Sequence, residues 1–170
     1  EPAGNYQCAV DAGACDTAPL GNLDSVRVFG DVQGKPSGVP LGSGAIIVGA
    51  ANPTNPVNGA LRRLPYVNSG NVVKVYGWGK EVVSTTVDQT GLSETTPAVR
   101  IGMTSSASAM VAGAALLVQA IKQDPVTKAY LTPAQVLDWL ADAKRGTPVA
   151  DDVATSTIVG SMPDLARIVP

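Results

Sequence analysis

From Ser105 onward to Leu117 the chain is built almost wholly of small or apolar residues, among them Ala107, Ala109, Ala112, Gly113, Ala114, Ala115, Leu116 and Leu117. A helix that is apolar on every side offers no face to water, so this segment predicts a buried central helix over Ser105 to Gln123 that the rest of the fold must wrap. Gly113 in its interior costs about 1 kcal/mol relative to alanine, which predicts that another backbone packs closely there. The most apolar part, Met110 to Ile121, falls short of the roughly 20 residues that cross a bilayer. The polar residues Gln119, Lys122, Gln123 and Asp124, followed by Pro125, end the helix.

A second helix is announced by Thr132 as N-cap and Pro133 in the first turn, with Val136, Leu137, Leu140 and Ala143 at helical spacing and Lys144-Arg145-Gly146 as its stop. Met162 to Ile168 holds one short helical turn. Gly44 to Ala50 is a continuous apolar run without alternation, the pattern of a central parallel strand. Val72 to Tyr76 and Glu81 to Thr86 are rich in β-branched residues and flanked by glycines, so both read as strands joined by a tight turn. Asn52 to Asn71, rich in Asn, Pro and Gly, reads as a surface loop. Strands buried on both faces alternating with helices call for an α/β layer, and so few elements predict an incomplete sheet with an uncovered edge.

The 170 residues suffice for one domain, spanning 1–170, and 45% apolar content is that of a globular chain. Only 15% of residues are charged, the net charge is -2, and no basic cluster occurs. Nucleic acid and anionic membrane surfaces both need clustered Lys and Arg, so neither is an expected partner. The chain opens on Glu1 without an initiator Met, which reads as a processed segment. Cys8 and Cys15 share one short loop, where closure is easy; a Cys8–Cys15 disulfide and an oxidising, extracellular compartment are expected, with two free buried thiols as the alternative. With no histidine and no second cysteine pair, a zinc site has nothing to build from.

The absence of histidine also removes the usual general base near neutral pH. The distinctive local feature is Gly102-Met103-Thr104-Ser105-Ser106-Ala107-Ser108, a small-residue turn running into the central helix. A hydroxyl presented at a helix N-terminus stands among free N–H groups at the positive end of the dipole, which favours a developing oxyanion. The alternative is that Ser105 merely caps the helix, as serine commonly does.

Thr104-Ser105-Ser106-Ala107-Ser108-Ala109-Met110-Val111-Ala112-Gly113 resembles the nucleophile motif of the subtilisin-like serine peptidases, Gly-Thr-Ser-x-Ala-Ser-(Pro/Ala)-x-Val-Ala-Gly. Ala3-Gly4-Asn5 resembles their oxyanion strand end, Ala45 to Ala50 their next core strand, Asn68-Ser69-Gly70 with Val73 to Gly79 the loop and strand after it, and Pro163-Asp164-Leu165 the domain's end. Gln7 to Leu20 and Thr54 to Leu64 look like insertions. The resemblance implies an α/β, subtilisin-like, doubly wound and mainly parallel sheet of which this chain supplies the downstream strands and helices. It implies Ser105 as nucleophile, Asn5 as oxyanion donor, and Pro2, Ala3 and Gly4 as walls of the pocket for the residue before the scissile bond.

The family's catalytic Asp and His precede the Ala-Gly-Asn segment and have no counterpart here. A secreted serine endopeptidase acting on peptides or proteins therefore requires a separate upstream chain of the same precursor carrying both. Met103 stands where the family has glycine, and Ala109 where it commonly has proline. No cofactor or metal ligand is assigned; calcium, which the family often binds, stays open, and Asp151-Asp152 and Asp11 with Asp16 read as solvated pairs. Tyr76 and Trp78 are expected to pack on the core, and Lys74, Lys80 and Lys144 to be solvated. The rival readings are a non-catalytic binding or scaffold protein, which Met103 favours, and an esterase using the same nucleophile.

Overall fold

A computed structural model describes residues 1–4, 45–57, 59–68, 70–84, 99–151 and 157–169. In chain order these form β1 (Ile47–Val57), β2 (Ala60–Arg63), β3 (Val73–Trp78), β4 (Val82–Ser84), β5 (Val99–Ile101), α1 (Met103–Lys122), α2 (Pro133–Ala141), a 3-10 turn (Ala143–Arg145), β6 (Gly146–Ala150), β7 (Ile158–Pro163) and α3 (Leu165–Ile168). Five strands close into a barrel in the order β1-β2-β6-β7-β3, and β4 and β5 form a separate antiparallel pair. Pairing is mixed: β1–β3, β2–β6 and β3–β7 are parallel, while β1–β2 and β6–β7 are antiparallel.

This closed mixed barrel replaces the doubly wound parallel sheet expected from the sequence. The reason lies in the segment read as a surface loop. Asn and Pro are depleted in sheet interiors, yet β1 continues through Asn52 to Val57, pairing with β2 at Ala51, Asn52 and Val57 around an irregularity that accommodates the prolines. Gly59, at a φ of 79°, turns the chain back into β2. That hairpin carries β2 to β6, and closure pairs the edge expected to stand uncovered.

Tyr76 shows how the barrel is filled. It is buried on β3, in register with Gly49 of β1. A side chain at Gly49 would come within 2.3 Å of its ring, and one at Gly160 of β7 within 2.6 Å. The two flanking strands thus leave gaps into which one large aromatic fits, the small-against-large complement of close-packed interiors.

The central helix departs from expectation on one side. Ala107, Val111, Ala114 and Val118 are buried, and α1 packs on β3 and β1. The closest approach is at Ala107, whose backbone oxygen lies 2.7 Å from where a Cβ on Gly77 would stand. On the opposite face Leu116 is 72% and Leu117 47% exposed, and among the described residues no atom comes within 4 Å of a Cβ placed on Gly113. The predicted close packing is therefore at Gly77, not Gly113. At 20 residues α1 is also long and apolar enough to cross a membrane by length and composition alone, as core helices can be.

The second helix matches its sequence signals. The Thr132 hydroxyl accepts from the Gln135 N–H at 3.3 Å and the Gln135 side chain accepts from the Thr132 N–H at 2.8 Å, a complete capping box. Val136 and Leu140 are its buried positions, and Ala143 falls outside it in the 3-10 turn. Trp139 lies between the cations of Lys122 and Arg145, 4.6 and 3.8 Å from its ring centre, which joins the end of α1 to the end of α2. Asp164, accepting from the Ala166 N–H, caps the predicted final turn.

Candidate active site

The first turn of α1 carries three hydroxyls, and the fold treats them differently. Thr104 is fully buried. Ser106 is buried too, its Oγ donating to the Met103 carbonyl at 2.9 Å. Ser105 is exposed. The N-cap is Gly102, without a side-chain cap, so Ser105 stands two residues beyond the start of α1 and does not cap it. This corrects the capping alternative and moves the start of the helix from Ser105 to Met103.

Gly102 has no side chain because none fits: a Cβ there would lie 2.6 Å from the Gly79 carbonyl oxygen. That same oxygen accepts the Met103 N–H at 2.7 Å and the Tyr66 hydroxyl at 3.2 Å, tying the helix head to the end of β3. Met103 pays for this geometry with a φ of 70°, a left-handed conformation natural to glycine and costly to a longer side chain. Its side chain is half exposed beside the turn. Burial pushes the Tyr66 hydroxyl above its ordinary pKa of 10.0, partly offset by the Met103 backbone, so it remains a neutral donor.

The segment Glu1 to Gly4 runs parallel to the start of β1. The Ala3 N–H donates to the Val48 carbonyl and the Val48 N–H to the Glu1 carbonyl, both at 2.8 Å, and Pro2 bridges to Val48. With β1 and β3 this makes three adjacent parallel strands. Ala3–Gly4 and the head of α1 both lie toward the C-terminal end of this parallel run. Of the assigned site residues, Ser105, Pro2, Ala3 and Gly4 thus occupy one end of the parallel strands. Asn5, Cys8 and Cys15 lie outside the described residues, as do Asp11, Asp16 and Asp152.

Three residues of this region went unassigned in the sequence. Arg63 is buried, and its Nε and one terminal nitrogen donate to Asp151 Oδ1, the former at 2.8 Å, while its other terminal nitrogen donates to the Val67 carbonyl. Asp151 is therefore engaged in an ion pair while its side chain stays 36% exposed. Asn68 Nδ2 donates to the Ala3 carbonyl at 2.9 Å and its N–H to the Gly4 carbonyl at 3.3 Å. Tyr66 is the third. Their sequence signal was hidden because Arg63 and Asp151 are 88 positions apart and Asn68 and Ala3 are 65 apart.

A cavity of about 240 Å³ opens beside α1, lined by Tyr76, Gly77, Trp78, Met110, Val111, Ala114, Met162, Pro163 and Leu165. Of the assigned site residues that are described, none lines it. Trp78 borders it at 44% exposure, so the expectation that Trp78 packs into the core is corrected, while that for Tyr76 holds. Lys74, Lys80 and Lys144 are exposed, as expected. Among the described residues no group of three or more acidic, His or Cys side chains gathers as a metal site would require. No protein-family model matches the chain, and no curated protein matches it.

Proposed function

We propose that this chain is the nucleophile-bearing part of a subtilisin-like serine endopeptidase, completed by an upstream chain that supplies the Asp and His. The observation that carries the reading is the state of Ser105: it is the exposed hydroxyl among the three of the α1 first turn, and it does no capping work. The likeness of Thr104 to Gly113 to the family's nucleophile motif supports it. So does the position of Ala3–Gly4 at the same ends of the parallel strands. A companion chain is called for by the absence of histidine and not by any gap in the barrel, whose strands close on one another.

In this reading the companion's imidazole takes the Ser105 proton as Oγ attacks the scissile carbonyl carbon. The oxyanion is held by the Ser105 N–H and the Asn5 side-chain amide. The imidazolium returns the proton to the leaving amine, and water, deprotonated by the same imidazole, releases the acyl group. Extracellular location follows if Cys8 and Cys15 are joined.

A non-catalytic binding role is favoured by one observation, the half-exposed side chain of Met103 held in a left-handed conformation next to the nucleophile. Labelling the purified complete protein with a fluorophosphonate, followed by peptide mapping, separates the two. The peptidase reading expects modification at Ser105, loss of it in Ser105→Ala, and a second, histidine-containing polypeptide in the denatured mass spectrum. One chain by mass with an unlabelled Ser105 leaves the binding role. Ester turnover without peptide cleavage identifies the esterase.

A further inference from the structure

The short turn from Leu64 to Asn68 touches both sides of the candidate site. At one end the Tyr66 hydroxyl donates to the Gly79 carbonyl, the oxygen that also receives the first N–H of α1. At the other end Asn68 donates twice, to the successive carbonyls of Ala3 and Gly4. Gly4 has a φ of 86°, and a Cβ on it would lie 3.0 Å from Asn68 Nδ2, so the amide lies tight against a backbone that only glycine adopts easily.

The turn itself is anchored at both ends. The Leu64 N–H donates to the Ala50 carbonyl at 2.9 Å and the Val67 N–H to the Leu64 carbonyl at 3.0 Å. Arg63, buried and paired with Asp151 of the β6 end, donates to the Val67 carbonyl. The pair thus braces the peptide unit from which Asn68 projects. A charge-assisted brace on a buried backbone carbonyl is stiff, since releasing it strands a guanidinium away from water.

We infer that Tyr66 and Asn68 are positioning residues: the turn they share, braced by Arg63 and Asp151, sets the separation between the Ser105 helix head and the Pro2–Gly4 pocket wall. The inference rests on the peptidase reading and goes beyond it in naming what holds the site's two halves apart. The two residues act on different halves. Asn68 holds the wall that contacts the substrate's side chain, whereas Tyr66 steadies the helix head that carries the nucleophile.

Two phosphorus probes on the complete protein test it. One is a small alkyl fluorophosphonate, which reports on Ser105 alone; the other is a peptidyl diphenyl phosphonate with phenylalanine next to the phosphorus, which also needs the wall. Asn68→Asp keeps the size of the side chain and replaces the donor with an acceptor facing the Ala3 carbonyl. It is expected to slow the peptidyl probe about tenfold and leave the alkyl probe within about twofold, since displacing a binding wall costs orientation and not nucleophilicity. Tyr66→Phe is expected to slow both probes by a similar factor.

Equal slowing of both probes by Asn68→Asp, or no change in their ratio, overturns the inference, because general loosening of the fold affects them alike. Should Asn68→Asp not fold, Asn68→Ala is measured in its place with the same expected ratio. If the unsubstituted protein takes neither probe at Ser105, the peptidase reading fails and this inference with it; if it takes both and the variants behave alike, only the inference fails.

Discussion

At the head of α2 a reciprocal pair of hydrogen bonds between Thr132 and Gln135 satisfies the end of the helix within four residues, and Pro133 sets the first backbone angle. At the head of α1 nothing local does this. Its cap is a glycine without a side chain, its first helical residue is a methionine at a φ of 70°, and its leading N–H is satisfied by Gly79, which follows β3. One helix starts because of its own sequence, the other because the sheet holds it. The cost at α1 leaves Ser105 without a structural task, and strain of this kind concentrates at working sites.

Breaking the α1 head should have the largest effect. Gly102→Ala forces a methyl group to where the Gly79 oxygen stands 2.6 Å away, and overpacking against backbone costs about 3 kcal/mol. Urea denaturation should show that loss; a change of a few tenths would mean that α1 is not seated on Gly79.

The next largest effect comes from alkali, through the residue beneath α1. Tyr76 is pushed from 10.0 up to about 12, chiefly by burial, with Arg63 lowering and Asp151 raising it. The folded state holds this proton more tightly than the unfolded state. The corresponding stability, about 2–3 kcal/mol, is complete below pH 10 and lost as pH rises through about 12. Denaturation midpoints across that interval should fall less in Tyr76→Phe than in the unsubstituted chain; parallel curves would place the alkaline loss elsewhere.

At the other helix head, Thr132→Ala should cost about 1 kcal/mol, the usual value of a lost N-cap. Fluorophosphonate labelling at Ser105 should not change, because α2 contributes nothing to that turn. The smallest effect is Met103→Gly. Relief of the left-handed methionine outweighs the added freedom of the unfolded chain by about 0.5 kcal/mol, a gain in thermal midpoint that would contradict the strain if it were a loss. The same substitution should speed labelling of Ser105 by clearing the side chain beside it.

Much of the fold's local structure was legible. The Thr132 cap and Pro133 of α2, the core run Ile47 to Ala50, the strand from Val73 and the short final turn are all written within a few neighbouring residues. The exposed outer face of α1 was not legible, because uniform apolarity says that a helix prefers burial but not which side obtains it. Nor was β2, where Asn and Pro masked a hairpin whose strands are held by irregular pairing. In the site, Ser105 was recognisable from its motif, whereas Arg63, Tyr66 and Asn68 acquire meaning only through partners far along the chain.

Taken alone, the sequence determined where α2 begins, that Ile47 to Ala50 and the run from Val73 are core strands, and that no histidine is at hand in it as a general base. Closure of the barrel, the choice of Ser105 over Thr104 and Ser106 as the exposed hydroxyl, and the bracing of Ala3–Gly4 by Asn68 were decided only in three dimensions. Capping and periodicity act over three or four residues and so leave a mark in the sequence. Strand register, burial and ion pairing join positions tens of residues apart, and their outcome depends on how the whole chain packs.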